Sequence, residues 1–142
     1  MDKSKYGKYI VTDVSKFKVE IPLPPSKATS GAFMFINDDV VKGSFFVRTF
    51  WFYGVPEGER LKPHTHDYDE VVAFFGTNMN DPHDLGGEIE FWIGGEKHII
   101  TKSSLTFIPK GLEHGPLHIK RVDSPIFHFT TGTAGKYGNR PQ

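Results

Sequence analysis

Short apolar runs, broken by glycine, proline and polar clusters, organise most of the 142-residue chain. From Gly31 onward these runs have the length and alternation of β-strands. Residues 32–36 read as a strand closed by Asn37-Asp38-Asp39. Residues 44–53 (Ser-Phe-Phe-Val-Arg-Thr-Phe-Trp-Phe-Tyr) are apolar in both phases, which predicts a strand covered on both faces. Gly54-Val55-Pro56-Glu57-Gly58 is a turn cluster, and 70–75 is a buried strand ended by Gly76. After a polar loop over 77–86, strands are expected at 88–93 and 97–101, with Gly94-Gly95 as a two-residue hairpin turn needing positive φ. Residues 105–108 lead into Pro109-Lys110-Gly111, expected as a type I turn with proline at i+1 and glycine at i+3. Strands over 113–120 and 125–131 complete the pattern. No window holds a 3.6-residue apolar period long enough for a substantial helix.

The ends differ from this middle. Residues 1–30 hold two short strand-like pieces, 9–12 and 17–21, followed by Pro22-Leu23-Pro24-Pro25, which cannot join a central ladder. They are expected to form an N-terminal arm that packs on the barrel or on a partner. Residues 31–131 form one all-β domain, and the glycine-rich residues 132–142 are expected to be a loose C-terminal tail.

Composition removes several classes of function. Seventeen Lys and Arg balance 17 Asp and Glu, so no global field draws in nucleic acid or an anionic membrane. Without cysteine there is no disulfide scaffold, thiolate site or cysteine nucleophile. No apolar run approaches a membrane span, and the lysine-containing start lacks the apolar core of a signal peptide. A cytoplasmic protein is the expectation. Thirteen Phe, five Tyr and two Trp favour strands and can line a small-molecule pocket.

Chemistry concentrates in His64-Thr65-His66-Asp67-Tyr68-Asp69-Glu70. On a strand, side chains at i and i+2 share a face, with Cα atoms about 6.5–7 Å apart, so both imidazoles can reach one ion. Glu70 is in phase with them and could complete a two-histidine, one-carboxylate set. The same residue types also collect in solvated loops, so this stretch alone leaves both readings open.

A second stretch, Ile108-Pro109-Lys110-Gly111-Leu112-Glu113-His114, brings in a family. Gly58-x5-His64-x-His66-x3-Glu70-x5-Gly76, followed by Pro109-x-Gly111-x2-His114, resembles the two signature motifs of the cupin superfamily. The resemblance implies a double-stranded β-helix, or jelly-roll barrel, with one divalent metal ion in its mouth, held by His64, His66, Glu70 and His114. Imidazole and carboxylate suit Fe, Mn, Zn, Ni or Co, and four protein ligands leave positions open for water, O2 or a chelating substrate. Three departures touch no ligand: Gly76 comes one residue early, Ser103 stands where glycine usually opens the second motif, and His118 stands where asparagine is common.

Other residues carry weaker expectations. His118, read as in phase with His114, is a candidate acid or base in the pocket, or a solvated side chain. Arg48 could hold a substrate carboxylate bidentately or pair with Glu88 or Glu90. Tyr68 is a candidate general acid or a packed aromatic. His98 and His128 are expected to be structural and His83 solvated, while Phe46, Phe50, Phe52, Trp92, Phe107 and Phe127 are expected in the core. Nucleophile elbows, phosphate-binding glycine loops and dinucleotide fingerprints are absent. The resemblance implies a metal-dependent enzyme on a small oxygen-rich molecule, of dioxygenase, decarboxylase or isomerase type. The alternative is a non-catalytic cupin that binds a small molecule or serves as a structural module. A homodimer is expected because cupin barrels commonly pair and the proline-broken arm offers an exchangeable edge.

Overall fold

A computed structural model describes residues 4–17, 30–56 and 62–137, without the side chains of 30–33. Among the described residues eight strands follow one another: β1 (Ser30–Ile36), β2 (Phe46–Phe52), β3 (Glu70–Phe75), β4 (Asp84–Ile93), β5 (Glu96–Lys102), β6 (Ser104–Ile108), β7 (His114–Val122) and β8 (Ile126–Gly132). They form a five-stranded sheet in the order β1-β2-β8-β3-β6 and a three-stranded sheet in the order β5-β4-β7. Every pairing is antiparallel. The two sheets close face to face as a jelly-roll β-sandwich.

Alternation along the strands decides what lies between the sheets. Val72 and Phe74 of β3, Leu85, Ile89 and Phe91 of β4, Ile108, Ile119 and Ile126 form the apolar core. On β2 and β8 the same inward phase carries Phe46, Arg48, His128 and Thr130, all buried. The opposite phase of the five-stranded sheet is also aromatic. Trp51 pairs with Phe127 in register, and their rings lie 4.9 Å apart. Phe129 continues this outer row from Phe127 at 6.3 Å. The both-faces-covered reading of residues 44–53 mistook an apolar outer face for a second buried one.

The turns match their chemistry with one change of register. Gly94 and Gly95 have φ of 58° and 82°, as a two-residue hairpin between β4 and β5 requires. At the β6–β7 turn, Leu112 N donates to Pro109 O, so proline occupies i and Gly111, with φ 85°, occupies i+2. That is a type II turn rather than the expected type I.

Other expectations fail for identifiable reasons. Residues 9–12 are not a strand: Tyr9 closes a 3-10 turn, Gly7–Tyr9, and among the described residues no strand pairs with 10–12. Residues 18–21 of the second strand-like piece lie outside the described residues. The tail is not loose as far as Tyr137. Asp38 N donates to Gly135 O, Phe46 N donates to Ala134 O, and Lys136 Nζ lies 2.9 Å from Asp39. Among the described residues no helix is long and apolar enough to cross a membrane.

Candidate metal centre

The two histidine motifs meet at a single antiparallel bridge. His64 N donates to His114 O at 2.9 Å, and His114 N donates to His64 O at 3.0 Å. The Pro-x-Gly turn is held beside them. Gly111 N donates to His66 O at 2.9 Å, and Lys110 N donates to Asp69 Oδ1 at 2.9 Å. A regular strand face is therefore not what gathers the first motif. Residues 65–69 are irregular, with a bend at Asp67-Tyr68, and β3 starts only at Glu70. Gly115 allows the approach. Its φ of 101° suits glycine, and a Cβ there would sit 2.8 Å from the Lys62 carbonyl oxygen.

One ligand atom from each of His64, His66 and His114 lies within 4.8 Å of the others. The backbone selects the tautomer of two of these rings. His64 Nδ1 is 2.7 Å from Lys62 O, and His114 Nδ1 is 3.0 Å from Leu112 O. A carbonyl only accepts, so each Nδ1 carries the proton and donates. Each Nε2 is left with a lone pair, the arrangement usual for metal-binding histidine. Glu70 Oε1 enters the same space, 3.2 Å from His114 Nε2 and 3.7 Å from His66 Nε2. Both Glu70 Oε1 and His114 Nε2 are buried without a well-formed hydrogen bond, and a shared cation would satisfy both. This donor set fits a divalent metal ion.

The electrostatics differ between neighbouring rings. Burial pushes His64 below the ordinary histidine value, against the opposing pull of its bond to Lys62. Burial also acts to lower His114, but the Glu70 carboxylate and the Leu112 carbonyl outweigh it and the net direction is up.

Solved structures with this arrangement of strands include an oxalate oxidase in complex with the substrate analogue glycolate, which is 14% identical with a TM-score of 0.51 over 89% of this chain and 63% of that one. The polyketide cyclase RemF from Streptomyces resistomycificus is 16% identical, with a TM-score of 0.50 over 87% of this chain and 80% of its own. A DMSP lyase matches over 70% of this chain with 16% identity and a TM-score of 0.44; this chain spans 44% of that protein's length. No family model and no curated protein matches the sequence. The chain has the cupin fold.

Within this cupin barrel the remaining candidates separate. Tyr68 is buried and stacks on His66, with centroids 4.6 Å apart and planes 13° from parallel, so it packs against the His66 imidazole. Arg48 is buried as well. The carboxylates suggested for it are engaged elsewhere, Glu88 with Arg121 and Glu90 with Trp92 and Lys120. The Arg48 guanidinium lies instead over the Tyr137 ring at 3.7 Å, and that ring is 5.3 Å from His66. Arg48 is thus one aromatic ring away from the histidine cluster.

His118 does not share the face of His114. The β4–β7 ladder shifts register between Phe91 and Ile93, and His118 pairs with Glu90. Glu90 alternates with the buried Ile89 and Phe91, so His118 is carried to the outside of the barrel. Counting in twos from His114 fails across the bulge. Trp92, Phe107 and Phe127 are also not core. Trp92 donates to Glu90 at 2.7 Å, while Phe107 and Phe127 lie on the outer face of the larger sheet. His98 and His83 are exposed on β5 and in the loop before β4.

Two contributors had no sequence reading as site residues. Tyr137 was assigned to the loose tail, and its only signal was an aromatic among glycines. Asp69 ties down the second motif through Lys110 and accepts from Thr133 N at 3.2 Å through its carbonyl. Nothing in the motif distinguished it from its neighbour Asp67.

Proposed function

We propose that this cupin-fold protein binds one divalent transition metal ion per chain through His64, His66, Glu70 and His114, and is an enzyme acting on a small oxygen-rich molecule. The observation that carries this reading is the pair of carbonyls, Lys62 O and Leu112 O, that hold Nδ1 of His64 and His114 as donors and so leave both Nε2 lone pairs for an ion, with His114 Nε2 3.2 Å from Glu70. A metal with open positions supplies a Lewis acid or a binding site for O2 or a chelating substrate. The chain supplies the surroundings. Arg48 holds a carboxylate or similar oxyanion of the substrate, Tyr68 fixes the His66 ring, and Phe91, 6.5 Å from the His114 ring, helps exclude water. Oxidation, decarboxylation and isomerisation all remain compatible with this arrangement.

Elemental analysis of protein purified without added metal tests the proposal. Wild type is expected to carry near-stoichiometric metal, and His114→Ala to lose most of it. Metal-free wild type, or a variant that retains its metal, would sink the reading. The outward position of His118 favours a second reading, a non-catalytic small-molecule-binding cupin, because it removes the expected acid or base from the pocket. O2-uptake, decarboxylation and sugar-isomerisation assays on metal-loaded protein distinguish the two. Uniform inactivity with tight ligand binding would favour the second.

A further inference from the structure

We infer that Arg48 and Thr130 form a carboxylate-binding subsite inside the barrel, one layer deeper than the metal centre, and that the substrate is a short 2-hydroxy acid carrying a second carboxylate. This rests on the metal reading above and adds the residue that selects the far end of the ligand. Arg48 and Thr130 are direct cross-strand partners on β2 and β8, and Thr130 is also the partner of Val72 on β3. Both stand in the inward phase of their strands, and both are buried. Residues directly opposite each other on one sheet face have Cβ atoms about 4.5–5.5 Å apart. Glu70 pairs with Gly132 two residues along the same two strands, which separates its layer from that of Thr130 by about 6.5–7 Å.

The Thr130 hydroxyl carries the assignment. Among the described residues, Thr130 Oγ1 is buried with no hydrogen-bond partner. Other threonines near it in the fold are satisfied: Thr49 Oγ1 donates to Met34 O at 2.7 Å, Thr77 Oγ1 to Pro125 O at 2.8 Å and Thr131 Oγ1 to Phe46 O at 2.9 Å. A hydroxyl buried without a partner costs stability, and valine would fill the same space without that cost. Thr130 shares this condition with Glu70 Oε1 and His114 Nε2. A cation satisfies those two atoms, and a ligand oxygen satisfies the hydroxyl.

Arg48 supplies the charge. Its guanidinium lies over the Tyr137 ring at 3.7 Å and the Phe50 ring at 5.1 Å. A guanidinium stacked by its face presents its N–H donors in its own plane, the geometry that matches a carboxylate. His128, one layer deeper again, gives its Nδ1–H to Ala73 O, and burial keeps its ring neutral near pH 7. The cation and the hydroxyl together therefore suit one carboxylate group. At the other end, the open positions of a metal favour two adjacent oxygens, as a 2-hydroxy acid offers. The layer spacing is spanned by a chain of roughly four or five carbon atoms, at about 1.5 Å per bond. Tyr137, 5.3 Å from the His66 ring, is the wall along which such a chain lies.

Isothermal titration calorimetry on the zinc-loaded full chain tests this with two probes. Glycolate has only the chelating end, and 2-hydroxyglutarate has both ends. Thr130→Val is expected to weaken 2-hydroxyglutarate binding about tenfold or more, while leaving glycolate binding and zinc content unchanged. It should also raise the urea midpoint, because an unsatisfied hydroxyl is removed. Thr130→Ser keeps the hydroxyl and is expected to bind both probes as wild type does. Arg48→Lys keeps the charge but not the planar fork, and should weaken only the longer probe. Equal loss of both probes in Thr130→Val, or an unchanged affinity for 2-hydroxyglutarate, overturns the inference. A lowered urea midpoint in Thr130→Val overturns it too, by showing that the hydroxyl serves the fold. Wild type that holds no zinc or binds no glycolate overturns the metal reading and this inference with it. Zinc and glycolate binding without any binding of the longer acid overturns the subsite alone.

Discussion

His128 shows how one buried residue couples stability to pH. Its ring stacks on Phe74 at 4.4 Å and on Phe50 at 5.3 Å, and its Nδ1–H donates to Ala73 O at 2.9 Å. Burial lowers its pKa from 6.5 to about 4, with the nearby Arg48 charge acting in the same direction and the Ala73 bond opposing. Between these values the unfolded chain takes up a proton that the folded chain refuses. The His128 contribution is thus fully present above about pH 6.5 and is lost as pH falls toward 4, by on the order of 3 kcal/mol. Urea unfolding at several pH values should show a steeper acid loss for wild type than for His128→Gln, which cannot titrate but can donate to Ala73. Equal slopes would mean that His128 is not the responsible group. Gly115 is a residue-scale constraint of another kind. Gly115→Ala forces a Cβ toward Lys62 O at 2.8 Å with φ at 101°, and should cost about 1–3 kcal/mol. Because the strain falls beside the His64–His114 bridge, metal retention should fall with it. A variant with unchanged unfolding midpoint and metal content would contradict this.

Among the elements, the junction before β6 has a function for a residue that departs from the family motif. Ser103 replaces the usual glycine, and its hydroxyl accepts from Gly76 N at 2.9 Å while donating to Pro82 O at 2.7 Å. Its own N–H donates to His83 O at 2.8 Å. The side chain thus ties the end of β3 to the loop before β4. Ser103→Ala should lower stability by about 1–2 kcal/mol through two lost hydrogen bonds, while leaving metal content unchanged because no ligand moves. A shift of the denaturant midpoint without a change in elemental analysis checks both halves. The same scale shows what a sequence can and cannot carry. Residues 70–75, the Gly94-Gly95 hairpin and the meeting of His64, His66, Glu70 and His114 were legible, because they depend on local alternation, turn chemistry and motif spacing. The facing of His118 was not, because a bulge in β7 resets the phase without changing composition. Trp92, Phe107 and Phe127 were misplaced because an aromatic residue in a strand does not reveal which face the rest of the molecule will cover. Tyr137 was missed because its contacts with Arg48 and His66 come from the return of the chain over the barrel mouth, long after the motifs end.

At the scale of the whole molecule, the proposed metal should act as a strut between distant parts of the chain. His64, His66 and Glu70 belong to the segment leading into the larger sheet, whereas His114 opens β7 of the smaller one. A ligand that binds only the folded barrel stabilises it by RT ln(1 + [L]/Kd), about 2.7 kcal/mol at one hundred times Kd. For a domain near this size, each kcal/mol raises Tm by about 2–4 °C. Adding a saturating metal to chelator-treated protein should therefore raise Tm by roughly 5–10 °C. His114→Ala and Glu70→Ala should reduce or abolish the rise, and His118→Ala should retain it, since His118 faces away from the site. Scanning calorimetry of the four proteins with and without metal makes the comparison direct. A full rise in His114→Ala would mean that the ion stabilises the fold from somewhere other than the junction of the two sheets. A rise lost in His118→Ala would place that ring at the metal, against the β4–β7 register that turns it outward.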